Sequence, residues 1–204
     1  MRVLVVSDVH GRADAVRALE SEVSALGVDI AVCCGDLETS DVVDALAELD
    51  VDVYAIPGNM DNYYLLEMLE SYGLSIHGKA VELRGVTLAG VGGLDPLRAL
   101  EEVREALASA SSELVVVSHY PPHGTKVDVA YSGLHIGLEE LRELVEEARP
   151  RLVACGHVHE SRGVDRVGGA LVVNPGPLAW GLYAVVDLSE ERVVMRRLGQ
   201  KMPG

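Results

Sequence analysis

The chain opens on a short apolar run, Arg2 to Ser7 (RVLVVS), closed at once by Asp8-Val9-His10-Gly11. A run of that length bounded by glycine predicts a buried strand. From Ala13 to Leu26 the apolar positions fall at Ala15, Val16, Leu19, Val23 and Leu26, which is helical spacing, and Gly27 stops it. The alternation then repeats. Asp29 to Cys34 predicts a second strand ending in Gly35-Asp36, and Thr39 or Ser40 caps a helix running to about Leu49. Val51 to Ile56 predicts a third strand ending in Pro57-Gly58-Asn59-Met60-Asp61, with a further helix over Tyr63 to Tyr72.

Beyond that point the pattern changes. Lys79 to Val91 alternates about Arg84-Gly85, which predicts an antiparallel hairpin. Pro96 is placed to begin a helix through about Ala108, and Glu113 to Ser118 is a strand ending in His119-Tyr120-Pro121-Pro122. Pro121 to Gly137 has weak periodicity and is rich in Pro, Gly and His. Loops beyond ~12–15 residues in compact domains are often functional. Leu138 to Ala148 is a strongly amphipathic helix ended by Pro150, and Leu152 to Cys155 is a strand running into Gly156-His157-Val158-His159-Glu160-Ser161. In an extended chain residues two apart point the same way, so His157 and His159 are expected to reach one point in space. Short strands follow at Arg162 to Val167, Ala170 to Val173, Gly181 to Asp187 and Arg192 to Leu198, without helices between them. Parallel βαβ units need covering helices, and hairpins supply a second sheet. The expectation is an α/β (α+β) chain of two mixed sheets flanked by helices, one domain over residues 1–204, with no linker or repeat.

Composition narrows the choices. Hydrophobic residues make up 49% of the chain, yet there is no Phe and only one Trp, so the core is expected to be Val, Leu, Ala and Ile. A net charge of −15 argues against extended nucleic-acid binding, which depends on basic residues neutralising phosphates. A metal-centred site still accommodates one phosphate. No apolar run approaches the ~20 residues of a membrane span. The first residues lack the long apolar region and cleavage site of a secretory signal. Cys33, Cys34 and Cys155 each lie in an apolar run and are expected to be inert core thiols without a disulfide framework. The expected location is cytoplasmic, with no membrane partner.

Candidate chemistry lies where the strands stop. Five of them end in Asp8/His10, Asp36, Asn59, His119 and His157/His159. Taken singly these are polar caps; together they deliver carboxylate, amide and imidazole to the edge where open α/β sheets bind ligands. The set has nitrogen and oxygen donors but no thiolate, which suits manganese, zinc, iron or nickel. Seven ligands are too many for one tetrahedral ion and about right for two ions sharing a carboxylate. Two metals ~3.5–4 Å apart clamp the attacking and leaving oxygens of an in-line phosphoryl displacement, which points to phosphoester hydrolysis.

The segments DVHG at Asp8, GD at Gly35, GNMD at Gly58, SH at Ser118 and GHVH at Gly156 resemble, in order, the motifs of the calcineurin-like metallophosphoesterase family, over about 150 of the 204 residues. The resemblance is closest to the small single-domain archaeal and bacterial phosphodiesterases. It implies a four-layer αββα sandwich with its metal site at the carboxyl ends of the strands. It also implies one metal held by Asp8, His10, Asp36 and His159, and another held by Asp36, Asn59, His119 and His157. On the same resemblance a bridging hydroxide attacks a small phosphoester substrate, with manganese the first expectation for both ions. Asn59, His119 and Asp61 are then expected nearest the chemistry. Asp61 is expected to orient His119, with a helix N-cap before Tyr63 as its alternative. Asn174-Pro175-Gly176 resembles a late family element, although Pro177 stands where Ser is usual.

One departure is chemical. The family's usual third motif carries a His that assists the leaving oxygen, and this chain has Met60. His123 and His135, in the long loop, are the candidate substrate contacts to replace it. Met60 is otherwise expected to fill space, His77 to lie on the surface, and one of Tyr63 and Tyr64 to lie in the core, the alternative for the pair being an aromatic edge that packs a substrate base. The alternative function is a non-catalytic assembly scaffold, as a retromer subunit of the superfamily is. A homodimer contact is expected, if anywhere, at the hairpin or around Trp180.

Overall fold

The computed structural model describes residues 1–108 and 112–200. Its elements run β1 (Arg2–Val6), α1 (Ala13–Ala18), α2 (Glu20–Leu26), β2 (Ile30–Cys33), α3 (Ser40–Ala47), β3 (Asp52–Ala55) and α4 (Tyr63–Ser71). They continue through β4 (Ala80–Leu83), β5 (Val86–Val91), α5 (Pro96–Leu107), β6 (Glu113–Ser118), α6 (Glu139–Ala148) and β7 (Leu152–Ala154). The last strands are β8 (Gly163–Val167), β9 (Ala170–Asn174), β10 (Leu182–Asp187) and β11 (Arg192–Arg197), with 3-10 turns at His159–Ser161 and Leu178–Trp180.

The strands form two sheets, ordered β11-β10-β1-β2-β3 and β4-β5-β6-β7-β9-β8. In the first, β1, β2 and β3 are parallel while β10 and β11 run antiparallel. In the second, β5, β6, β7 and β9 are parallel, and β4 and β8 close the edges antiparallel. Both sheets are mixed, as the sequence pattern predicts.

Side-chain alternation explains the layers, because successive strand residues face opposite sides of a sheet. In β1, Leu4 and Val6 join a cluster with α1, α3 and α4, whereas Val3 and Val5 pack against Val86, Leu88, Val115 and Val117 of the second sheet. On the far side of that sheet Val116 and Val153 meet Leu100, Val103, Leu141 and Leu144 of α5 and α6. Three stacked cores therefore separate four layers, αββα. The predicted hairpin is present, and Arg84 (φ 51°) and Gly85 (φ 82°) supply the paired positive φ of the tight turn that matches strand twist. The helix expected over Ala13 to Leu26 is divided at Leu19, whose N–H bonds Val16 O at 2.9 Å, three residues back, a local 3-10 step. Gly27 ends it with φ 59°. Among the described residues no helix is long and apolar enough to cross a membrane.

Parallel strands bring their carboxyl ends to one edge. Asp8, Asp36 and Asn59 follow β1, β2 and β3, and His119 and His157 follow β6 and β7, so loops from both sheets face one another there.

Candidate metal centre

The first half of the site is built from β1, β2 and the loop after β7. Asp8 is fully buried, its N–H donates to Gly35 O at 3.0 Å, and its carboxylate accepts the His157 N–H at 3.1 and 3.2 Å. His159 Nε2 lies 3.4 Å from Asp8 Oδ1 and 3.1 Å from His10 Nε2. Asp8, His10, Asp36 and His159 each offer one ligand atom, all within 4.8 Å of one another.

The second half is built around His119, which is fully buried. Its Nδ1 donates to the Cys34 carbonyl at 2.8 Å, so a neutral ring carries its lone pair on Nε2. That lone pair faces Asn59 Oδ1 at 2.7 Å and Asp36 Oδ1 at 3.6 Å. The His157 ring stands with its centroid 5.1 Å from that of His119. Asp36 is common to both halves.

This donor set passes a direct test of fit. His10 Nδ1 lies 2.8 Å from Glu38 Oε1, an acceptor that holds the ring proton there and turns the Nε2 lone pair toward His159. In both halves nitrogen lone pairs and carboxylate oxygens converge with few protons between them. Such an arrangement repels itself unless a cation sits among the acceptors, and imidazoles fixed through their other nitrogen are the usual form of metal ligand. The residues fit two divalent cations sharing Asp36.

The backbone is bent to achieve this. Asp8 (φ 52°), His10 (48°), Asp36 (55°), Glu38 (66°) and His157 (67°) all occupy the left-handed region. Asp and His tolerate that region better than most residues, yet such conformations generally cost roughly 1–3 kcal/mol each and gather at functional sites. Close approach matters equally at Gly156, where an added Cβ would overlap Ser7 Oγ and stand 2.7 Å from Asp8 Oδ2.

Several expectations require correction. His157 and His159 do not aim at one point: His157 is left-handed, the Val158 N–H turns back to Gly156 O at 2.8 Å, and His159 begins a 3-10 turn. The chain is not extended there, and the two imidazoles enter different halves. Asp61 does not orient His119. Its carboxylate accepts N–H groups from Leu37 (2.8 Å), Glu38 (2.7 Å) and Gly58 (2.7 Å), tying the loops after β2 and β3 together. Nor does it cap α4, because Asn62 does so by accepting from Leu65 N at 3.1 Å. Met60 fills no space: the residue is 60% exposed, while its N–H donates to Asp36 Oδ1 at 2.9 Å. Tyr63 and Tyr64 are both exposed. His77 is half-buried rather than superficial, with Nδ1 accepting from Gly92 N at 3.0 Å, and burial lowers its pKa. The three cysteines are buried free thiols, as expected, and burial pushes Cys33 up to about 12.

His123 and His135 stand on the loop beside the centre rather than among its converging lone pairs. His135 Nδ1 lies 2.6 Å from Asp128 Oδ1, and the two His rings are 5.6 Å apart. Fully buried Asp128 also accepts N–H groups from Gly124, Thr125 and Gly137. The loop is tied to the His159 turn by Ser161 Oγ donating to Val129 O at 2.5 Å and Tyr131 N donating to Glu160 Oε1 at 2.6 Å. Asn174, which resembles a late family element, spans the same seam by donating to Val158 O at 2.9 Å. Sequence reasoning misses Glu38, Tyr120 (ring 4.5 Å from His157) and Trp180 (ring 5.7 Å from His159). Adjacency to Asp36 and His119 is the available signal for the first two; nothing local marks Trp180 as a neighbour of His159.

Charge is balanced unevenly across the centre. Burial raises the Asp36 pKa, although His119 pulls the other way. Burial also raises Asp8, but the His159 bond and the His119 charge outweigh it and the net shift is downward. The Asp8 bond raises His159 against its burial. Burial, then electrostatic repulsion from the neighbouring His119, lowers His157 to about 4. His157 is therefore neutral and able to ligate at pH 7. In metal-free protein the unfolded chain takes up this proton near 6.5, the folded chain only near 4. His157 thus contributes stability above 6.5 that is lost as the pH falls toward 4, while His159 acts in the opposite sense. Denaturant midpoints of metal-free protein between pH 7 and 4 should fall less steeply in His157→Gln than in the native chain. Parallel curves would refute this assignment.

Two lone-pair clusters share one carboxylate at the strand ends of an αββα sandwich, an arrangement suited to metal ions and to phosphoester chemistry. The chain belongs to the calcineurin-like phosphoesterase superfamily, whose domain model matches residues 1–191. It is 30% identical over 216 residues to the uncharacterized protein MJ1162 of Methanocaldococcus jannaschii, covering 96% of this chain and 95% of that one. Among solved structures it is similar to TT1561 of Thermus thermophilus, with a TM-score of 0.79 at 20% identity over 97% of this chain and 98% of the other. It is also similar to a structure described as a novel archaeal phosphodiesterase, with a TM-score of 0.62 at 17% identity over 97% and 100%.

Proposed function

We propose that this protein is a phosphodiesterase that hydrolyses small phosphoesters in the cytoplasm with two divalent cations, manganese first among manganese, zinc, iron and nickel. The observation that carries the reading is Asp36, whose carboxylate belongs to both lone-pair clusters at once. Two such cations, when bound, would supply Lewis acidity, activating water for attack and neutralising charge on the phosphoryl group. Asp8, His10, Asp36 and His159 would hold one, and Asp36, Asn59, His119 and His157 the other. Glu38 and the Cys34 carbonyl fix the protons of His10 and His119 on Nδ1, leaving each Nε2 free to ligate.

The scaffold alternative predicts no turnover with any divalent ion. Assay of a bis-aryl diester with each of the four ions separates the two readings, and inactivity with all of them overturns the enzyme.

Met60 sets the preference among esters. A thioether donates no proton, and general acid assistance is typically worth ~10²–10⁴-fold. Aryl esters, whose leaving oxygens need no proton, should be cleaved far faster than alkyl esters. Met60→His is expected to raise the alkyl rate about 10²-fold while changing the aryl rate little. Equal native rates on both classes would remove the argument. On this reading His123 and Asp128-held His135 contact the substrate from the loop beside the centre.

A further inference from the structure

We propose that Trp180 is the platform on which an aromatic ring carried by the phosphoester stacks, which assigns the substrate class as aromatic phosphoesters. The inference rests on the phosphoesterase reading of the adjacent centre. Trp180 is the chain's one tryptophan and is 51% exposed. Its ring centroid lies 5.7 Å from that of His159, at an interplanar angle of 79°, so the indole crosses the imidazole rather than stacking on it.

The backbone that carries the indole is fixed. Leu178 is fully buried, its N–H donates to Ser7 O at 2.8 Å, and the Ala179 N–H donates to Asp8 O at 3.2 Å. Gly181, at φ 75°, closes the turn with its N–H on Leu178 O at 2.7 Å. The turn carrying Trp180 is thus fastened to the strand end that carries Asp8, at a fixed distance from the centre. A large aromatic so positioned, half in water beside a ligand imidazole, offers a π-face within reach of a group attached to a phosphate at that centre. Met60 leads to the same class by a separate route, since without a proton donor the favoured leaving groups are stabilised ones such as phenolates. The net charge of −15 disfavours a polymeric nucleic acid as the ring's source.

Stacking of a base on an aromatic side chain typically contributes ~1–3 kcal/mol, equivalent to about 5- to 150-fold in affinity. The test is binding by full-length protein in manganese-containing buffer, measured by calorimetry with AMP, phenyl phosphate, ribose 5-phosphate, methyl phosphate and inorganic phosphate. AMP should bind at least about fivefold tighter than ribose 5-phosphate, and phenyl phosphate tighter than methyl phosphate, with a matching quench of the single tryptophan's fluorescence. Trp180→Ala should abolish both differences while retaining inorganic phosphate binding, and Trp180→Phe should restore part of them. A preference for only one of the two aromatic ligands identifies the ring as a nucleobase or a simple aryl group. Equal affinities in the native chain, or differences that survive Trp180→Ala, overturn the proposal. So does light scattering that shows a dimer lost in Trp180→Ala, because Trp180 would then be an interface residue. Failure of every ester to turn over defeats the phosphoesterase reading, and the binding differences remain readable without it.

Discussion

Asp36→Asn is expected to leave one cation bound instead of two and to lower kcat on an activated diester by about 10³-fold or more. The carboxylate is the one group present in both halves of the centre, 3.6 Å from His119 Nε2 and within 4.8 Å of the facing atoms of Asp8, His10 and His159. It also accepts the Met60 N–H at 2.9 Å, so an amide must either turn an NH₂ toward that donor or present it to the imidazoles. The substitution removes a negative charge and one of the two carboxylate oxygens with little change of shape. Metal content by mass spectrometry, read alongside kcat, checks the result. A variant holding two ions per chain and within tenfold of native activity would show that Asp36 is not the shared ligand.

The second large effect is on stability. Asp61→Ala strips the acceptor from the N–H groups of Leu37, Glu38 and Gly58. Hydrogen bonds to charged groups contribute ~1.5–3 kcal/mol each and are not additive, so a loss of about 3 kcal/mol or more is expected. For a chain of this size that corresponds to a fall in Tm of roughly 6–12 °C. Asp61→Asn, which keeps one oxygen, should lose less. Thermal unfolding of metal-free protein measures the effect without interference from ligand binding. A loss below about 1 kcal/mol, within the range of a single ordinary hydrogen bond, would mean that the two loops hold their shape without Asp61. Because Glu38 in turn fixes His10, Asp61→Ala should also weaken cation binding.

The parts of this molecule legible in its sequence are those with a local cause. Buried apolar runs such as Arg2 to Val6 and Glu113 to Ser118 declare themselves as strands because burial on both faces demands unbroken apolar residues. Arg84-Gly85 declares the hairpin because few dipeptides accept two positive φ angles. The ligand types at the strand ends follow from the same reading, since parallel strands must deliver their termini to one edge. What escapes is set by partners distant in sequence. The direction of His157 is decided by its N–H reaching Asp8, 149 residues away, which holds the chain out of the extended form. The role of Asp61 depends on loops after two different strands, and only their three-dimensional approach shows that its oxygens are already taken. Leu19 breaks a helix whose apolar spacing is unbroken, so periodicity carries no trace of it.

The bonds that shape the centre also join the two halves of the molecule. His119, from one sheet, donates to the Cys34 carbonyl of the other, and Asp8 receives the His157 backbone in return. The edge that binds cations is therefore the clasp of the sandwich. Losing these side chains would leave the apolar core between the sheets as their main fastening. The ligand side chains thus serve assembly as well as chemistry.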